Sequence, residues 1–96
     1  MKLFVVVRND LSTSQRAVQA GHAVAEYLVN NSPLCWQNET LVYLGVKSLN
    51  DLQNVTKKLE FNDVKYTEWR EPDLNNEITA IASDCESPIF KKLNLL

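Results

Sequence analysis

Two polar segments of this chain carry the side chains with which an ester could be hydrolysed. Arg8, Asn9 and Asp10 follow the apolar run Leu3-Phe4-Val5-Val6-Val7, and Ser14, Gln15, Arg16, Gln19 and His22 come soon after them. Glu71, Asp73, Glu77 and Thr79 make up the second segment. Ester hydrolysis needs a base to activate water and donors to stabilise an oxyanion. Asp73 is the candidate for orienting or activating the water. Backbone amides around Ser14 are candidate oxyanion donors, because a helix N-terminus attracts anions. Arg8 and Arg16 are candidates for holding a phosphate or other anion.

Each of these residues also has a structural reading. Asp73 follows Pro72 and suits a turn. Glu71 and Glu77 suit solvated loop positions. Arg8 and Asp10 are spaced to pair with each other. His22 titrates near neutrality, but it stands well inside a helix among small apolar residues, where Gln19 or Glu26 could satisfy it. Gln19 suits an interior amide bonded to loop backbone. Trp36 and Trp69 suit core or rim aromatics better than base-stacking platforms.

Composition narrows the chemistry. The chain has one histidine and two cysteines, Cys35 and Cys85, far apart in sequence, which is poor material for a metal site. The two glycines, Gly21 and Gly45, form no phosphate-cradling loop. No metal and no other cofactor is therefore expected. The net charge of −2 argues against strong binding through phosphates, so any RNA contact is expected to be local or weak. The opening apolar run is too short to cross a bilayer, and the cysteines read as free thiols of a cytoplasmic protein.

Other segments must position these residues. The 96 residues suit one domain, and 45% hydrophobic content suits a packed core. Leu3–Val7 reads as a strand buried on both faces. Ser12 and Gln15 fit a capping box opening a helix from Ser14 to about Asn30, with Ala17, Ala20, Gly21, Val24 and Leu28 on one face. A short helical turn is expected near Trp36. Thr40–Val46 reads as a second strand, parallel to the first. An amphipathic helix spans Leu49 to about Phe61, with Leu49, Leu52, Val55 and Leu59 on one side. Asp63–Trp69 alternates like an edge strand, Glu77–Ala82 reads as another strand, and Ser87-Pro88 opens a last short helix. The order is βα(α)βαββα.

These motifs resemble type II peptidyl-tRNA hydrolases. The resemblance rests on Val5-Val6-Val7-Arg8-Asn9-Asp10-Leu11 followed by Gln19-Ala20-Gly21-His22-Ala23, on Trp36 before the second strand, and on Ser48-Leu49-Asn50-Asp51-Leu52. Glu71-Pro72-Asp73-Leu74 before Thr79-Ala80-Ile81-Ala82 completes it. The resemblance implies a three-layer α/β/α fold with a mixed four-stranded sheet. It also implies hydrolysis of the ester between a peptidyl or acyl group and tRNA. Asp73, Arg16 and Thr79 would be catalytic, and Arg8, Asn9, Asp10, Ser14, Gln15, Gln19 and His22 would bind substrate.

The chain departs from that family at specific positions. Members carry a glycine-lysine pair at the start of the first helix, and the lysine position falls on Gln15 here, with Arg16 beside it. The family's Asp-Ala-Gly-Arg-Thr loop is replaced by Glu71-Pro72-Asp73-Leu74-Asn75-Asn76, although Thr79 keeps the strand threonine. Arginine supplies lysine's charge but not its proton transfer. A catalytically altered binding module on the same fold is therefore the alternative. A homodimer is expected, through the strand Val64–Trp69 and the apolar tail from Ile89 to Leu96.

Overall fold

A computed structural model describes all 96 residues. The elements are β1 (Lys2–Arg8), α1 (Thr13–Asn30), β2 (Thr40–Val46), α2 (Leu49–Phe61), β3 (Thr67–Glu71), β4 (Glu77–Ser83), α3 (Pro88–Lys91) and β5 (Asn94–Leu95). They form one mixed sheet in the order β3-β4-β1-β2-β5. β1 runs parallel to β2, from Lys2 opposite Thr40 to Arg8 opposite Val46. The other neighbouring pairs are antiparallel.

Strand alternation splits the core into two layers. Leu3, Val5 and Val7 face α1, packed with Ala20, Ala23, Tyr27, Trp36, Ala80 and Ala82. Phe4 and Val6 face α2 and α3, packed with Leu52, Val55, Leu59 and Phe90. The Phe4 and Phe90 rings stack at 4.8 Å between centroids. β1 is thus buried on both faces, which explains its unbroken apolar run.

Both long helices start where their serines place them. Ser12 Oγ accepts the Gln15 amide at 3.2 Å and Ser48 Oγ the Asp51 amide at 3.3 Å. Only half of the capping box at Ser12 forms, because the Gln15 side chain bonds onward to Gln19. α2 buries the expected Leu52, Val55 and Leu59.

α1 is turned relative to the expected face. Its buried residues are Gln19, Ala20, Ala23 and Tyr27, whereas Ala17, Gly21 and Leu28 are exposed. Gln19 and Tyr27 carry polar tips, and these find partners inside the sheet ends. Tyr27 Oη donates to Asp84 Oδ2 at 2.7 Å and accepts the Trp36 amide at 3.2 Å. Ala20 and Ala23 lie between them and let the helix approach Ala80 and Ala82.

Three further expectations are corrected. The segment around Trp36 forms no helical turn, and Trp36 is anchored by Tyr27 and by its own Nε1 bond to the Thr40 carbonyl at 2.9 Å. β3 is the expected edge strand but begins at Thr67 rather than Asp63. The preceding residues close α2 in a Schellman turn, with Asp63 at φ 55° and bonds Asp63 N–H to Glu60 O and Val64 N–H to Leu59 O. The sheet has five strands rather than four, because the tail returns as β5 and covers the free edge of β2. With Phe90 buried and β5 paired to its own sheet, the tail serves the fold that contains it.

Candidate active site

β1 and β4 are antiparallel, so the carboxyl end of β1 and the start of β4 share one sheet end. This brings the β1–α1 loop beside the β3–β4 connection. A cavity of about 490 Å³ lies on the α1 side, lined by Gln15, Val18, His22, Trp69, Glu71 and Asp73 among others.

A buried polar network stands behind this cavity. Gln19 and Thr79 are both fully buried. Thr79 Oγ1 donates to Gln19 Oε1 at 2.5 Å, and Gln19 Nε2 donates to Glu71 Oε1 at 2.8 Å and to Gln15 Oε1 at 3.3 Å. Thr79 reaches α1 because the β3–β4 register shifts beside it: Trp69 opposes Ala80 while Arg70 opposes Ile78. A bulge of this kind re-aims a side chain. Gln19 therefore ties α1 to both strands that frame the cavity.

Glu71 is held as a carboxylate. The Gln19 amide and then the Asp73 backbone N–H, at 3.3 Å from Oε2, keep its pKa below the ordinary carboxylate value. The Trp69 ring stacks flat on His22 at 4.2 Å, and its Nε1 has no hydrogen-bond partner. His22 is thus partnered by an aromatic face, not by Gln19 or Glu26.

Asp73 is exposed on the short 3-10 turn Pro72–Leu74, and its carboxylate makes no hydrogen bond to the protein. At the start of α1, Ser12 takes the Gln15 and Arg16 amides, which leaves the Thr13 and Ser14 amides without a protein acceptor. A free carboxylate and free helix-start donors are therefore both present at this sheet end.

The arginines are placed differently from the expected phosphate holders. Arg8 is only 7% exposed and shares the Phe4 and Val6 side of β1 by strand alternation. Its Nε and Nη2 bond both Asp10 oxygens at 3.0 and 2.8 Å, and its Nη1 bonds Glu77 at 2.8 Å and the Ile78 carbonyl at 3.3 Å. It is a clamp between the two segments, with four of its five N–H donors committed within the protein. Arg8 in turn lowers the pKa of Asp10 through that bidentate bond. Arg16 folds onto the β1–α1 loop, with Nε on the Leu11 carbonyl at 3.0 Å and Nη1 at 3.5 Å from Asn9 Oδ1. The Asn9 amide group lies over Gly45, where an added Cβ would come within 2.5 Å of Nδ2. Gly45 thus makes room for this loop to close over β2. The structure brings Gln15, His22 and Asp73 to one cavity with Gln19 and Thr79 behind it. Arg8, Asn9, Asp10 and Arg16 lie beside it as the frame of the loop.

Sequence reasoning treated Glu71 as a solvated charge and missed its bond to Gln19. Two long polar side chains on the sheet-facing side of α1 were the available signal, since buried polar atoms must find partners. Gln19→Leu is expected to destabilise the fold by about 1–3 kcal/mol, because the Thr79 hydroxyl loses its acceptor in the core. Urea unfolding of the variant against wild type measures this, and an unchanged midpoint would show that the network contributes nothing.

Comparison with known proteins agrees with this architecture. A solved structure titled as a protein of unknown function from Agrobacterium tumefaciens strain C58 matches with a TM-score of 0.73 at 13% identity. The match covers 99% of this chain and 96% of that one, and at this identity it speaks for the fold alone. No curated protein matches the chain. Residues 1–91 match the family model described as peptidyl-tRNA hydrolase PTH2, and the chain belongs to that family.

Proposed function

We propose that this protein hydrolyses the ester joining a peptidyl or other acyl group to tRNA. The observation that carries the reading is the cavity beside the start of α1, with the unpaired Asp73 carboxylate on its wall. Asp73 takes a proton from water, and the water attacks the ester carbonyl. The Thr13 and Ser14 amides stabilise the oxyanion, and the proton passes to the departing ribose oxygen. Thr79 acts through Gln19 as a positioning residue, and Arg16 holds the loop that presents the amides. The test is purified protein mixed with peptidyl-tRNA, followed for free tRNA. Release that rises in proportion to protein concentration is expected, and no release at high concentration removes the reading.

A second reading, a binding module without chemistry, is favoured by one observation. Gln15 stands where the resemblance places a lysine, and its side chain is taken by Gln19. A protein that binds peptidyl-tRNA but releases no tRNA would fit this reading.

The proposed setting is the cytoplasm, where tRNA esters are handled; no helix is long and apolar enough to cross a membrane. The proposed assembly is a symmetric homodimer. With the tail packed on its own sheet, its support is the exposed Leu28, Val29 and Leu41. Sedimentation at tens of micromolar protein tests it, and a single species near 11.0 kDa removes the dimer.

A further inference from the structure

The other side of the same sheet end carries a trough that the proposed chemistry does not use. It has a volume of about 370 Å³ and lies between α2 and the tail, over the end of β2. Lys47, Lys58 and Lys92 line it. They come from three separate elements: the residue after β2, the last turn of α2 and the cap of α3. All three are exposed, and none forms an ion pair. Lys58 and Lys92 also line the adjoining groove of about 550 Å³ between α2 and α3. The trough holds three lysines to one carboxylate, Asp51, and the adjoining groove adds Glu86, so the trough is locally positive in a chain of net charge −2.

The trough is joined to the candidate active site, on the other side of the sheet, through the β1–α1 loop. The Asn9 amide bonds the Val46 carbonyl at 2.7 Å, and Lys47 is the next residue. A polyanion whose end lies at the β1–α1 loop can therefore continue over Lys47 towards Lys58 and Lys92. We infer that Lys47, Lys58 and Lys92 hold the phosphate backbone of the tRNA while its esterified end occupies the cavity near Asp73. The inference rests on the hydrolase reading for the choice of RNA as partner. Three point charges placed on phosphates give sequence-independent contact. They also agree with the near-neutral whole chain, since three phosphate contacts make a weak and local site.

The test is binding of deacylated tRNA to the intact protein across a salt series. Three neutralised phosphates give a slope of log affinity against log salt of about −2.1 to −2.7, which is roughly a 40-fold loss between 50 and 200 mM salt at the steeper end. Each Lys→Gln substitution is expected to reduce the slope by about one. The triple variant Lys47→Gln, Lys58→Gln, Lys92→Gln should bind with little salt dependence. Its melting temperature should stay close to wild type, because all three side chains are exposed. Equal affinity and slope in wild type and triple variant overturns the inference, as does the absence of any tRNA binding by wild type.

Two kinetic comparisons separate this inference from the reaction itself. A short N-acyl-aminoacyl ester of adenosine lacks the tRNA body. The triple variant should keep its rate on that ester while its KM for peptidyl-tRNA rises. An unchanged KM for peptidyl-tRNA overturns the lysine trough and leaves the hydrolase reading intact. Lysine-dependent tRNA binding without hydrolysis of either ester supports the trough and removes the hydrolase reading.

Discussion

Asp73→Asn is expected to lower the rate of tRNA release from peptidyl-tRNA by about 10²- to 10⁴-fold, the usual contribution of a positioned general base. The fold should not notice the change. Asp73 is exposed, its carboxylate makes no hydrogen bond to the protein, and its backbone N–H bond to Glu71 is one that asparagine keeps. Exposed substitutions of this kind stay within about 0.5 kcal/mol in stability. The expected signature is therefore a collapsed rate at an unchanged melting temperature. Glu71→Gln should show the opposite emphasis, because Glu71 is already occupied by Gln19 and by the Asp73 amide. A rate for Asp73→Asn equal to wild type removes Asp73 from the mechanism.

Arg8→Met is expected to destabilise the fold by about 2 kcal/mol. Removing one partner of a buried ion pair costs 3–5 kcal/mol. The value is lower here because the Asp10 and Glu77 side chains are 38% and 37% exposed and can rehydrate. For a domain of this size the loss corresponds to a melting temperature lower by roughly 10 °C. The substitution should also change the response to acid. Arg8 depresses the pKa of Asp10 below its ordinary value of 3.8. The pairing therefore contributes fully above pH 3.8 and is lost as pH falls through the depressed value. In wild type, stability should fall with acidification below about pH 4, and Arg8→Met should flatten that part of the curve. Parallel curves for the two proteins would show that the Asp10 pairing contributes nothing in acid.

Much of the fold was legible because its signals are local. The run Leu3–Val7 and the spacing of Leu52, Val55 and Leu59 identify buried elements without reference to any neighbour. Ser12 and Ser48 mark helix starts, since a hydroxyl within reach of the helix's first-turn amides acts over three residues of chain. The Schellman turn at Asp63 is also local, but the alternation of Val64, Tyr66 and the following residues masked it. Of the candidate site, the two polar segments were legible from their residue types, and the antiparallel pairing of β1 and β4 is what sends both to one sheet end. Which side chains would be free at that end was not legible.

By itself, the sequence determined the order of the long elements, the burial of β1 on both faces, the starts of both long helices and the two polar segments that carry the candidate side chains. These depend on periodicity and capping, which act within a few residues. Only the tertiary structure decided the rest. α1 offers two overlapping stripes at helical spacing. The one with Gln19 and Tyr27 is buried because β4 and the residue after it supply Thr79 and Asp84 as partners. The shift in register beside Thr79 sends its hydroxyl to Gln19, and no spacing within β4 announces it. The β2 edge left open by the other strands recruits the tail as β5. Arg8 becomes a clamp because Glu77 arrives from the far end of the chain to share it with Asp10. In each case the deciding partner is distant in sequence, and a buried polar group takes whichever partner the fold brings to it.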